Sequence, residues 1–504
     1  MLVPGAAWQA LAEDAASGSD SATDDADGIS DDEAVEEVAS GTCGSALTWV
    51  LTSDGTLTIS GSGAMSTYGS GSSSPWLSYA ASITNVVVGD SVTSIGAKAF
   101  YSASSSYSSL ASVELGSAVT SVGTYGFGGC SALTSISLGS SLTSIGTYAF
   151  YKCTALEFVE LPSTVTSLGN YAFYKCTSLS SASLGSSLAS IGTHVFENCT
   201  ALESVELPST LASISGYAFY DCYKLASIEL PSSITSIGEA AFYKCTSLKS
   251  IVLPDSVISL GGLAFSGCTA LTSVTLSSSL TVISDSQAFY GCTALKSIEI
   301  PDSVTSLGSQ TFYGCTSLTS VTLSSSLSTI SEELFCGCTA LTSIEIPESV
   351  TSISYSAFQN CTSLKSVTLP STLKSILSGA FYGCSSLAAI ELPDAVTTLN
   401  GSTFYNCTSL ASVTLGSSLT TIGGNAFYGC SSLTAIELPS TLTSIGSYAF
   451  EYTLLTSIEV PDSVTEIKSY AFYGCTALRS VTLGASLATV GNYAFSGCTV
   501  LTDV

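Results

Sequence analysis

Charge is scarce in this chain. Asp, Glu, Lys and Arg make up 10% of its 504 residues, with 11 Lys and Arg and one histidine against 38 Asp and Glu. A formal charge of −27 leaves no electrostatic footprint for nucleic acid or an anionic membrane surface. No run of 18 or more apolar residues occurs, so no transmembrane helix is indicated and no membrane insertion is expected of this segment. The single histidine, His194, stands in a variable slot of IGTHVF and reads as an ordinary surface or turn residue. No nucleophile, base and orienting group can be assembled around it. P-loop and dinucleotide fingerprints are absent. LPST at Leu161 and Leu438 lacks the glycine of a sortase signal. An enzyme, a cofactor and a metal centre are therefore not expected.

What is present is apolar and repetitive. Apolar residues are 45% of the chain, enough to bury a large core beneath a polar, weakly charged surface. Phe recurs at 100, 127, 150, 173, 196, 219, 242, 265, 289, 312, 335, 358, 381, 404, 427, 450, 472 and 495. That marks about eighteen units, mostly 23 residues apart. In LEFVELPSTVTSLGNYAFYKC, Leu156 to Cys176, the stretch FVEL alternates as a short strand. Pro162 ends it and Gly169 marks a turn. Ala172, Phe173, Cys176 and Leu179 follow the spacing of one helical turn. Such a unit cannot bury its apolar face alone, so the units must stack into a solenoid.

LASIELPSSITSIGEAAFYKC, Leu225 to Cys245, shows the full pattern. It resembles the BspA-type leucine-rich repeats of bacterial and protist surface proteins. The resemblance covers about residues 83–504 and implies a β-rich leucine-rich-repeat solenoid, with a short strand and one helical turn per 23-residue unit. It further implies a secreted or cell-surface location and adhesion to extracellular proteins or glycans, such as host or matrix components.

The flanks differ from the repeat. Residues 1–40 hold eleven acids and no Lys or Arg, and residues 13–40 are expected to be disordered. MLVPGAAWQALA before them ends in a small-x-small pattern, either a secretory signal remnant or an incidental tail. Residues 41–82 alternate around Asp54-Gly55, a hairpin signal, and read as an N-terminal β cap. The chain stops just inside a further unit at CTVLTDV. A solenoid needs a polar terminal cap, so the natural protein is expected to continue.

Cys sits three residues after Phe in sixteen of the eighteen units, as at Cys153, Cys176, Cys245, Cys292, Cys384 and Cys430. Ala103 and Thr453 fill the other two places. One ligand per rung does not converge on a metal ion. Stacked cysteines have parallel Cβ vectors, which strains a disulfide. The preferred reading is a structural core column of small buried residues with inert thiols.

Two outward rows are candidate binding surfaces. The outward strand position after Thr275 reads Glu299, Thr322, Glu345, Thr368, Glu391, Thr414 and Glu437, a 46-residue superperiod; earlier rungs add Glu114, Glu160, Glu206 and Glu229. It could meet a cationic or polyhydroxyl partner, or simply solvate a β surface. The second row follows Phe and includes Tyr151, Tyr174, Tyr243, Tyr290, Tyr313, Tyr382 and Tyr428. It could stack on sugar rings, or shield the core. Interrupting Glu residues spoil a Thr lattice for ice binding. The Asn-Cys-Thr triplets at Asn198, Asn360 and Asn406 match the glycosylation pattern but read as by-products of the repeat. Local exceptions are the Ser102–Tyr107 insert, Glu332-Glu333 with Cys336, and Lys152 with Lys175. The favoured function is a binding scaffold. The alternative is a rigid surface stalk without a specific ligand.

Overall fold

A computed structural model describes residues 35–69, 73–101 and 107–504. The apolar start, most of the acidic tail (1–34) and Ser102–Ser106 of the insert lie outside the described residues. Residues Glu37–Val504 build a β-solenoid of about 17 turns.

Its first three strands are antiparallel, and the first begins at Glu37, within the stretch that composition assigns to the tail. They are β1 (Glu37–Thr42), β2 (Leu47–Thr52) and β3 (Thr56–Gly61). Asp54-Gly55 joins β2 to β3. Gly55 takes φ +83° there, and Asp54 accepts hydrogen bonds from Thr52 Oγ1 and Thr56 N. β3 then pairs in parallel with Asn85–Val88, which starts the ladder of rungs. Parallel pairing fits stacked units, because each unit re-enters in the same direction.

Each rung has three parts. The first is the outward Glu/Thr strand, for example Phe158–Glu160, with Val159 buried between two exposed side chains. The second is a two-residue strand such as Ser144–Ile145, in register with Ser167–Leu168 of the next rung. The third carries the Phe and Cys columns.

That third part corrects the expected helical turn. Among the described residues the only helix is the 3₁₀ turn Leu77–Tyr79. Each repeat instead bends through two left-handed residues, two before and two after the Phe. Tyr148 has φ +57° and Lys152 +56°; Tyr171 has +57° and Lys175 +61°. The backbone bonds explain why. Ala149 N, Tyr151 N and Cys153 N donate within the rung, while Tyr148 N, Phe150 N and Lys152 N donate to Asn170, Ala172 and Tyr174 of the next rung. An α-helix would use all these N–H groups internally and leave the rungs unjoined.

The core is one column of rings. Trp76 is fully buried and stacks on Phe100 at 5.2 Å between centroids. From there each Phe stacks on the next, as in Phe289–Phe312 at 5.7 Å and 4°, and Phe312–Phe335 at 5.6 Å and 5°. Leu, Ile and Val from both strands close around it.

Candidate binding surfaces and the cysteine column

Every column cysteine from Cys130 to Cys475 is buried, and Cys498 half-buried. No cysteine among the described residues is in a disulfide, and no group of three or more His, Cys, Asp or Glu could hold a metal. The column is more than small apolar filling. Each column thiol points at the Phe carbonyl of the preceding rung: Cys153 Sγ to Phe127 O at 3.2 Å, Cys176 Sγ to Phe150 O at 3.2 Å, Cys245 Sγ to Phe219 O at 3.2 Å. Cys292, Cys384 and Cys430 repeat this with Phe265, Phe358 and Phe404. The same carbonyl accepts the backbone N–H of its own rung's cysteine. Cysteine thus supplies a weak donor that also fits an apolar slot. Thr453 departs from this: its Oγ1 donates to Phe450 O of its own rung at 2.8 Å, the carbonyl that also takes the Cys475 thiol.

Burial pushes Cys43 and Cys336 up to about 11 and Cys268, Cys315 and Cys407 up to about 12. Such thiols lack the thiolate that reacts. Native protein should therefore react slowly with a disulfide reagent at neutral pH, while denatured protein releases all eighteen thiols. Rapid native labelling of many column thiols would contradict the packing described.

The ladder residues Glu299, Thr322, Glu345, Thr368, Glu391, Thr414 and Glu437 are all exposed. The 46-residue superperiod is also present in the backbone. Glu299 pairs in register with Thr322, Glu345 with Thr368 and Glu391 with Thr414, and each pair is a separate two-stranded sheet. Glu437 lies on a rung without strand geometry at that position. The two ion pairs among the described residues are His194–Glu197 and Lys224–Glu203, so none of these ladder carboxylates is neutralised by a salt bridge. Thr368, Glu391 and Thr414 line one groove of about 770 Å³ with Glu348 and Asp394. A second groove, of about 830 Å³, lies over Glu114, Ser137, Glu160 and the 53% exposed Phe158.

Some surface acids do a different job. Asp302 accepts bonds from Ser325 N and Oγ, and Asp394 from Ser417 N and Oγ, all at 2.7–2.8 Å. These bonds hold both carboxyls below their ordinary value. Such Pro-Asp acids clamp one rung to the next. The Pro-Asp-x signature at Pro301 and Pro393 could have marked them.

The tyrosines are mostly occupied by each other. Tyr151 stacks on Tyr174, Tyr290 on Tyr313, and Tyr382 on Tyr405 and then Tyr428, with centroids 4.4–5.7 Å apart. Tyr243 stacks on Tyr220 at 4.6 Å. Faces within a stack are covered, so edges and hydroxyls point outward, a poor geometry for stacking on sugar rings. Lys152 and Lys175 lie over Tyr151 and Tyr174 at 5.1 Å. Cys336, outside its own column, replaces a tyrosine here.

A second aromatic column escapes the Phe-plus-one pattern. Tyr125, Tyr148, Tyr171, His194 and Tyr217 stand two residues before Phe and stack at 4.3–4.7 Å. His194 is thus a ring in a stack, with Nδ1 bonded to Glu197. The recurrent Tyr-Ala-Phe triplet was its signal. Asn198, Asn360 and Asn406 occupy left-handed positions, which Asn tolerates.

Comparison with known proteins fits this architecture. The sequence matches the BspA type leucine rich repeat region over residues 76–200, 104–225, 166–287, 285–410 and 397–504. The chain belongs to the BspA-type leucine-rich-repeat family. It is similar to a leucine-rich repeat protein from Bacteroides ovatus, at 31% identity and TM-score 0.58, over 69% of this chain and 86% of that one. A leucine-rich repeat protein from Eubacterium ventriosum is 28% identical with TM-score 0.41, covering 83% and 96%. A comparison with curated proteins gave no match. BspA-type proteins are typically surface or secreted, and leucine-rich-repeat solenoids typically serve as non-catalytic binding scaffolds. No helix among the described residues is long and apolar enough to cross a membrane.

Proposed function

We propose that this protein is a secreted or cell-surface binding scaffold. Its outward strand face takes a cationic or hydroxyl-rich region of an extracellular protein or glycan. The observation that carries this reading is the groove at Thr368, Glu391 and Thr414, where carboxylates without a salt bridge meet hydroxyls over a rigid sheet. Exposed carboxylates beside a groove attract cations at a range set by salt, about 10 Å at 0.1 M. The Phe158 groove adds an apolar anchor beside the Glu114 and Glu160 carboxylates.

The test is binding of the purified protein to an array of matrix glycoproteins and glycans at low and physiological salt. Saturable, salt-sensitive binding to a few targets is expected, weakened several-fold or about tenfold by Glu345→Gln with Glu391→Gln. Binding unchanged in that double variant would move the site off the ladder. A blank array would favour a rigid stalk, a role for which the unbroken Phe stack also suits the molecule.

A further inference from the structure

One rung departs from the repeat in four places at once. Glu451 stands where the column has tyrosine, Tyr452 takes the left-handed position usually held by Gly, Asn or Lys, Thr453 replaces cysteine, and the rung is one residue short. Only 7% of Glu451 is exposed, and its Oε2 has no hydrogen-bond partner. Burial raises its carboxyl above the ordinary value, against an opposing side-chain hydrogen bond with Tyr452. Tyr428 and Tyr473 are the column neighbours on either side. The Tyr452 ring sits between them at right angles, 5.6 Å and 82° from Tyr428, 5.8 Å and 76° from Tyr473. It packs against Gly474, where an added Cβ would lie 2.6 Å from Tyr452 Cδ1. Tyr452 itself is 47% exposed.

Glu197 provides an internal comparison. It holds the same column position, but there His194, two residues before the Phe, supplies a partner. In the Glu451 rung that place holds Tyr448, which stacks on Tyr470. Neither ion pair among the described residues includes Glu451. A buried carboxylate without a cation is costly. Ring faces beside it attract an ammonium ion.

We propose that Glu451, walled by Tyr428, Tyr452 and Tyr473, is a receptor for an organic ammonium ion, either a free alkylamine or a lysine side chain of a partner. The half-exposed Tyr452 ring is the element that must swing to admit it. The site lies on the Phe side of the rung, away from the strand ladder, so it stands or falls independently of the function proposed above.

The test uses the whole chain and n-butylammonium as probe, followed by tyrosine fluorescence and by the ¹³C shift of the Glu451 carboxyl. Saturable binding in the millimolar range is expected, weakened by about tenfold or more in Glu451→Gln. Glu451→Tyr restores the repeat's own residue and should remain folded while losing the probe. A lysine-containing peptide that displaces the probe more strongly than free amines identifies a protein partner; the reverse order identifies a small amine. Absence of saturable binding in the native chain, or equal binding in Glu451→Tyr, overturns the proposal.

Discussion

Raising the pH from about 8 to about 11 should unfold this solenoid, well before ordinary backbone hydrolysis matters. Sixteen of its thiols are shifted upward, fifteen chiefly by burial and Cys475 first by its hydrogen bond with Cys498 and then by burial. Their ordinary value is 9.0. A thiol raised in the folded state keeps a proton that the unfolded chain releases. Its stabilising effect is therefore complete below about pH 9 and is lost as pH climbs from there toward the folded values of about 11 to 12 and higher. Each such group removes about 1.4 kcal/mol per pH unit in that window. If they act in one cooperative step, the loss is on the order of 20 kcal/mol per pH unit. That exceeds the 5–15 kcal/mol typical of a domain. Tyr68, Tyr217 and Tyr428, raised to about 12, add in the same direction above pH 10. Cys498 is shifted the other way by its hydrogen bond with Cys475, and offsets only a small part. Far-UV circular dichroism against pH measures this directly. A folded signal persisting to pH 12 would show that the thiols are not desolvated as described. Replacing several column cysteines by alanine should move the midpoint upward if the protein still folds.

The repeat, its Phe register and the inward strand positions were legible because core packing imposes them at every rung. Val159 and Leu161 are buried and Glu160 exposed, as alternation requires. The helical turn was misread for a physical reason. Successive tight turns with i to i+3 bonds place Ala172, Phe173 and Cys176 inward at the same intervals as a helix. What separates the two is the left-handed residue before each cysteine. Gly at 291, 314, 383 and 429, and Asn at 360 and 406, are its visible trace. Lys152 and Lys175 occupy the same conformation and hide it. The partner of each thiol was not legible at all. Cys153 donates to Phe127, 26 residues back, and only the stacking register brings them together. The outward rows were legible as rows, because exposure follows the same period. Their chemistry was less so: alike in sequence, Glu391 is free of salt bridges, Asp394 is a clamp and Glu451 is buried.

Phe312→Ala should cost about 3–5 kcal/mol, the range for removing a buried aromatic side chain. Phe312 is fully buried and stacked on both faces, by Phe289 and Phe335. The hole cannot close by a shift of one rung, because Phe312 N is bonded to Leu334 O and Phe289 N to Thr311 O on either side. Both neighbouring rings therefore lose a stacking partner as well as contact area. In a stacked array, stability is roughly the sum of rung and interface terms. Weakening one interface by this amount should split a single unfolding transition into two, one for each arm. Phe312→Leu refills most of the volume and should cost markedly less, without splitting the transition. Calorimetry of the two variants separates the effects. A single unshifted transition in Phe312→Ala would mean that the ring column is not what joins the rungs, and that the ladder bonds suffice without it.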